Sequence, residues 1–108
     1  VTPFVQAAVE DDILRQTERY AEQGLPNIAR RFLTAVLAAI DGLAAMPEAG
    51  PPKPVANPAL DGSRRWPVKG FDEYWVYYLV RPEALTVVRV LHSKRDIDGI
   101  VASARGTA

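Results

Sequence analysis

His92 is the only histidine in the chain, and it lies near arginines in sequence: Arg89 and Arg95 flank it, with Arg64 and Arg65 upstream. Metal-free RNA cleavage needs a base for the 2′-hydroxyl, cations for the phosphate and an acid for the leaving oxygen. Arg64, Arg89, His92 and Arg95 are residue types that can fill those roles. The same region also reads as a surface for binding a target without catalysis. Arg65, Trp75, Arg89, His92, Lys94 and Arg95 combine cations with one large aromatic ring, the types that anchor interfaces. Plainer roles compete with both. An arginine at a strand end commonly pairs with a nearby carboxylate, here Asp96 or Asp98. A histidine at a strand terminus is more often a hydrogen-bonded rim residue than a catalyst. Trp66 and Trp75 read first as packing residues. Trp75 is the better exposed anchor, because its strand neighbours on the other face already fill a core.

Other chemistry is narrowed by composition. The chain has 108 residues, no cysteine and one histidine. Disulfides and thiolate metal sites are therefore out, and no metal or other cofactor is expected. Thirteen Lys and Arg balance thirteen Asp and Glu, so formal net charge is zero. A protein that coats nucleic acid normally carries a basic excess. Direct DNA binding is not expected, although the cations cluster late in the chain and leave room for a local basic patch. No apolar run is long enough to span a bilayer, and no membrane association is expected. Val1-Thr2-Pro3-Phe4 lacks the basic flank and apolar stretch of a signal peptide. The expected location is cytoplasmic, and the expected organisation is a single domain over 1–108.

The elements that must position these residues can be read from pattern. Between Ser63 and Asp96, three short β-branched and aromatic runs are separated by turn signals at Lys69-Gly70-Phe71-Asp72 and Arg81-Pro82-Glu83-Ala84. They predict an antiparallel meander over roughly 63–69, 74–81 and 84–92. By alternation, Tyr74, Val76, Tyr78 and Val80 oppose Trp75, Tyr77 and Leu79, while Val88, Val90 and His92 oppose Val87, Arg89 and Leu91. Pro3-Phe4-Val5-Gln6 fits a short edge strand. From Ala7 to Gln23 the period becomes helical, with acidic residues in the first turns and Gly24 as the stop. Pro26 opens a second helix whose apolar stripe is Ile28, Phe32, Val36, Ile40 and Leu43, widened by Ala29, Leu33, Ala39 and Ala44. Residues 47–62 hold five of the nine prolines and read as extended loop. Ser93-Lys94-Arg95-Asp96 has the form of a capping box before a short last helix. The predicted fold is α+β, in the order β-α-α-β-β-β with a C-terminal helix. Both faces of the last two strands are apolar, so two covers are needed. The helix hairpin supplies one. The other is expected from a partner unless the C-terminal helix provides it.

These residues, in this order, resemble a known family. Arg64-x-Trp66-Pro67-Val68, Gly70-Phe71, Tyr74-x-Val76-x-Tyr78 and Arg89-Val90-Leu91-His92-x-x-Arg95-Asp96-Ile97 are similar to the RelE/ParE superfamily of bacterial toxins, with the ParE branch closer. RelE-type members cleave ribosome-bound mRNA. Where they carry a functional arginine after Tyr74, this chain has Trp75, and at their C-terminal tyrosine position it has Val101. Arg95 matches. Gln16 departs from the family's usual aliphatic residue. The ParE resemblance implies an inhibitor of DNA gyrase that blocks replication, a role in plasmid stabilisation, and a ParD-like antitoxin that folds onto the toxin in a hetero-oligomeric complex. An antitoxin helix fills an apolar groove and a strand extends a sheet edge. Phe4, Tyr20, Leu79 and Leu85 are the candidate antitoxin contacts. The alternatives are a RelE-like mRNA endonuclease and an inactive antitoxin-binding member. An RNA-binding α+β domain lacks its aromatic signature strands here.

Overall fold

The computed structural model describes residues 2–104. The chain is α+β: β1 (Pro3–Val5), α1 (Ala7–Glu22), α2 (Pro26–Ala45), β2 (Arg64–Val68), β3 (Phe71–Arg81), β4 (Ala84–His92) and α3 (Ile97–Ile100). One four-stranded sheet runs in the order β1-β4-β3-β2. β1 lies parallel to β4, and the other neighbours are antiparallel. The meander follows the turn signals. Gly70 takes a left-handed φ of 84°, which only glycine adopts cheaply, and Phe71 pairs directly with Val68. β3 therefore begins three residues earlier than alternation predicted.

The helix hairpin is closed by local chemistry. Gly24 (φ 76°) sits just past α1. Its N–H donates to Ala21 and that of Leu25 to Tyr20, a Schellman arrangement that satisfies carbonyls left open at the helix end. Pro26 then starts α2 where a missing N–H costs nothing. The hairpin lays Val9, Phe32, Val36, Ala39, Ile40 and Leu43 on Val68, Val76, Tyr78, Leu85, Val87 and Val90 of the sheet. Leu33, expected to widen the stripe, stays exposed with Leu37 one turn on.

The opposite sheet face does not wait for a partner. Leu60, Ile97 and Val101 bury Tyr77, Leu79, Val88 and Leu91, with Val55, Trp75, Ile100 and Ala104 around them. Loop and C-terminal segment are tied together. The Asn57 amide donates to the carbonyls of Val101 and Ala104 at 2.7 and 2.8 Å, and the Ala56 N–H donates to Asp98 at 2.8 Å. The expected missing cover is thus supplied by the proline-rich loop and the C-terminal segment of the chain itself.

Two local expectations are also revised. Pairing slips between Tyr77↔Arg89 and Tyr78↔Val87, leaving Val88 as an extra residue, a β-bulge. The bulge changes the phase of β4: Val87 and Val90 face the helix hairpin, and Val88 and Leu91 face the other core. The Ser93 capping box does not form. Asp96 is the N-cap of α3 and makes no side-chain cap bond, while the Ser93 N–H donates to the Glu73 carbonyl at 2.6 Å.

Candidate functional site

The cations predicted to act together are separated by the sheet. Arg64, on edge strand β2, reaches back to the loop and donates to the Gly50 carbonyl at 2.7 Å. Arg65, Tyr77 and Arg89 lie in one row across β2, β3 and β4. Two strand spacings put the backbones of the two arginines roughly 10 Å apart. Arg65 stacks its guanidinium on Trp75 at 4.0 Å, a cation–π contact that half-buries both. Trp75 is therefore a packing residue of the second core with one face taken by Arg65.

Arg89 turns the other way, to α1. Its Nε donates to Asp12 Oδ2 at 2.8 Å and its Nη2 to Oδ1 at 2.5 Å. Asp12 Oδ2 also accepts the Val90 N–H at 3.0 Å. β1 pairs only with Leu85–Val87 of β4, so the β4 edge beyond it has no strand beside it, and the carboxylate supplies that backbone acceptor. The Asp12 hydrogen bond raises the Arg89 pKa, with burial opposing. Sequence reasoning expected an arginine partner at Asp96 or Asp98. For Arg89 the partner is Asp12, 77 residues away, and Asp98 instead holds the Ala56 N–H. A signal existed: Asp12 occupies the face of α1 defined by Val9, Ile13 and Tyr20, where an acid has no reason to sit unless paired.

His92 is held at both nitrogens. Nδ1 accepts the Lys94 N–H at 3.1 Å, which puts the proton on Nε2, and Nε2 lies 3.1 Å from Glu73 Oε2. The Tyr74 ring packs edge-on against the imidazole, 5.2 Å between centroids. The Tyr74 hydroxyl pKa is raised, first by burial and then by Tyr20, with Arg19 opposing. Lys94 and Arg95 are exposed on the turn after β4. Of the proposed catalytic set, only the Arg95 side chain has no intramolecular partner among the described residues.

The four candidate antitoxin contacts divide as well. Phe4 is exposed on the sheet edge, and Tyr20 is half-buried against Phe32 and Phe71. Leu79 and Leu85 have no accessible surface, one in each core, so no partner can touch them while the fold is intact. Sequence reading missed a larger feature. A groove of about 1010 Å³ runs between α2 and β2, floored by Ile28, Ala35, Ala39, Trp66 and Phe71, with Arg30, Arg31 and Lys69 among its lining and no acidic residue. Small alanines opposite a tryptophan and a phenylalanine were its only trace in the sequence. Among the described residues no cluster of His, Cys, Asp or Glu could hold a metal ion.

A search of curated proteins gives no match. The family model for the ParE toxin of the type II toxin–antitoxin system parDE matches residues 5–97, from β1 through the first residue of α3. The match takes in both helices, the whole meander and the Asp12–Arg89 tie between them, and the chain accordingly belongs to the family of ParE toxins, which act opposite an antitoxin in type II toxin–antitoxin systems.

Proposed function

We propose that the chain is a gyrase-directed toxin of the cytoplasm that works by binding rather than by cutting RNA. The observation that carries this reading is the engagement of the nucleolytic candidates within the fold. His92 has neither ring nitrogen free to act as a base, Arg89 is locked to Asp12, and Arg64 is held by the Gly50 carbonyl. An RNA-cleaving base at His92 requires one of its two ring contacts to break first, and Arg89 is already committed to Asp12. Lys94 and Arg95 remain exposed and the Arg65–Trp75 stack half-exposed, cations and an aromatic of the kind that mark a protein interface.

The antitoxin, in this reading, lays an apolar helix with acidic flanks into the groove between α2 and β2. Ile28, Trp66 and Phe71 accept its apolar face, and Arg30, Arg31 and Lys69 accept its carboxylates.

The test is to add purified chain to gyrase with relaxed plasmid and, separately, to translating ribosomes. Loss of supercoiling with accumulation of cleaved DNA is the expected result. Cuts in ribosome-bound message with gyrase unaffected overturn the proposal. Induction in a bacterial host, with DNA and protein synthesis followed separately, distinguishes both from an inactive binding member, which leaves growth unchanged.

A further inference from the structure

A second pocket, of about 340 Å³, opens where α1 passes the end of β4. Arg15 and Arg19 enter it from α1 and Arg95 from the turn after β4. Four residues apart on a helix, Arg15 and Arg19 share a face, and like charges at that spacing repel. Asp11, Glu18 and Glu22 stand three or four residues from these arginines on the same helix and offset part of that repulsion, yet none comes within ion-pair distance: among the described residues the close acid–base contacts are Arg89–Asp12 and His92–Glu73. Asp12 is the one acidic residue in the pocket lining, and both its oxygens are already taken by Arg89 and the Val90 N–H. Glu73 is likewise engaged by His92. Among the described residues, the pocket is therefore lined by three arginines with no carboxylate within ion-pair distance of them.

The rest of the lining is suited to oxygen ligands. Gln16 sits on the sheet-facing side of α1, where the helical pattern calls for an apolar residue, and it lines this pocket with Gln23, Tyr20 and Tyr74. Amides and phenols are hydrogen-bond donors of no charge, and they add to the guanidinium forks without adding repulsion. The volume admits a compact group the size of a nucleotide and is too small for a helix. Three guanidinium groups on the lining of one small pocket match one tetrahedral, multiply charged oxyanion better than they match spaced carboxylates on a peptide. We propose that Arg15, Arg19 and Arg95 form a phosphate-binding pocket, taking a phosphate group of a nucleotide or of a nucleic-acid backbone. The site is separate from the α2–β2 groove, and it stands whether or not gyrase is the target.

The test uses the full chain, with inorganic phosphate, adenosine monophosphate and a short DNA duplex as probes, followed by calorimetry and by amide NMR shifts at low salt. Saturable binding with shifts centred on Gln16, Arg19 and Tyr74 is expected. R15Q/R19Q and R95Q should each weaken it by about tenfold, the loss of one or more charge-assisted contacts. R30Q/R31Q removes the same charge from the groove on α2, and should change binding by less than about twofold if the pocket, not overall charge, is responsible. All these arginines are exposed, so thermal unfolding should be unaffected. Binding of phosphate and the nucleotide without DNA assigns a small ligand. DNA binding whose salt dependence falls by about one unit of slope per arginine removed assigns the backbone. Either upholds the site. No saturable binding of any probe, equal weakening by R30Q/R31Q, or binding of a polyglutamate peptide alone overturns it.

Discussion

Replacing Asp12 by alanine should be among the most damaging single changes available outside the apolar core. The carboxylate does two jobs at once. It neutralises Arg89, whose side chain is only 17% exposed, and it accepts a buried backbone N–H from Val90 at an edge no strand covers. Removing one partner of a fully buried pair costs about 3–5 kcal/mol, and an unsatisfied buried N–H about 1–3 kcal/mol. Arg89 can recover some hydration through its exposed part, so a total of about 3 kcal/mol is expected rather than the sum. For a domain of this size that lowers Tm by roughly 12–20 °C. D12N keeps an acceptor for Val90 and loses the charge, and should cost about half as much. D12L/R89M removes both charges but still leaves the Val90 N–H without its acceptor, so it should recover the charge part of the loss and remain about 1–2 kcal/mol below the parent. Urea unfolding of the four proteins measures all three values. If D12A loses less than about 1 kcal/mol, or if D12L/R89M is no better than D12A, the pair is not the tie between α1 and β4 that the geometry describes.

Gly50→Ala should destabilise by roughly 2 kcal/mol or more, because an added Cβ would lie 2.5 Å from the Tyr78 hydroxyl and 2.6 Å from the Arg65 carbonyl; Y78F should not rescue it, since the carbonyl remains. Tyr74 and Tyr78 both have hydroxyl pKa values raised above the ordinary 10.0, chiefly by burial. Above pH 10 the unfolded chain gives up these protons while the fold retains them, so stability should fall as pH rises from there, and be flat in this respect below it. Y78F should shallow that alkaline loss while costing about 1 kcal/mol at neutral pH for the Gly50 hydrogen bond, read by chemical denaturation across pH. Val101→Asp puts a charge under the sheet and should free the C-terminal segment, seen as faster amide exchange at Ala56, Asn57 and Leu79 with a loss of about 3 kcal/mol. Ala38→Trp, on the lining of the α2–β2 groove, should weaken antitoxin binding by about tenfold or more with Tm unchanged; full neutralisation by antitoxin would place the antitoxin elsewhere.

Local patterns determine the elements in this chain. Turn residues at Gly24, Gly70 and Arg81–Pro82 end each element where steric rules require, and the apolar periods say whether the run between them is helix or strand. Those are interactions within a few residues, so they are legible in order along the chain, and with them the α+β class and the succession of strands and helices. Tertiary structure alone decided what depends on distant partners. The bulge at Val88 arises from register between β3 and β4 and reassigns which side chains face which core. The second sheet face is closed by loop 47–62 and the C-terminal segment, whose fit comes from Asn57 reaching Val101 and Ala104 across more than forty residues. Arg89 and His92 look reactive in one dimension because a sequence shows charge and not its partner. In three dimensions Asp12 holds Arg89, and Glu73 and the Lys94 N–H hold His92, while Arg95, far along the chain from Arg15 and Arg19, lines one pocket with them. Charge compensation is a property of neighbours in space, and spacing along the chain signals it only where, as at Asp12, an acid falls on an apolar helix face.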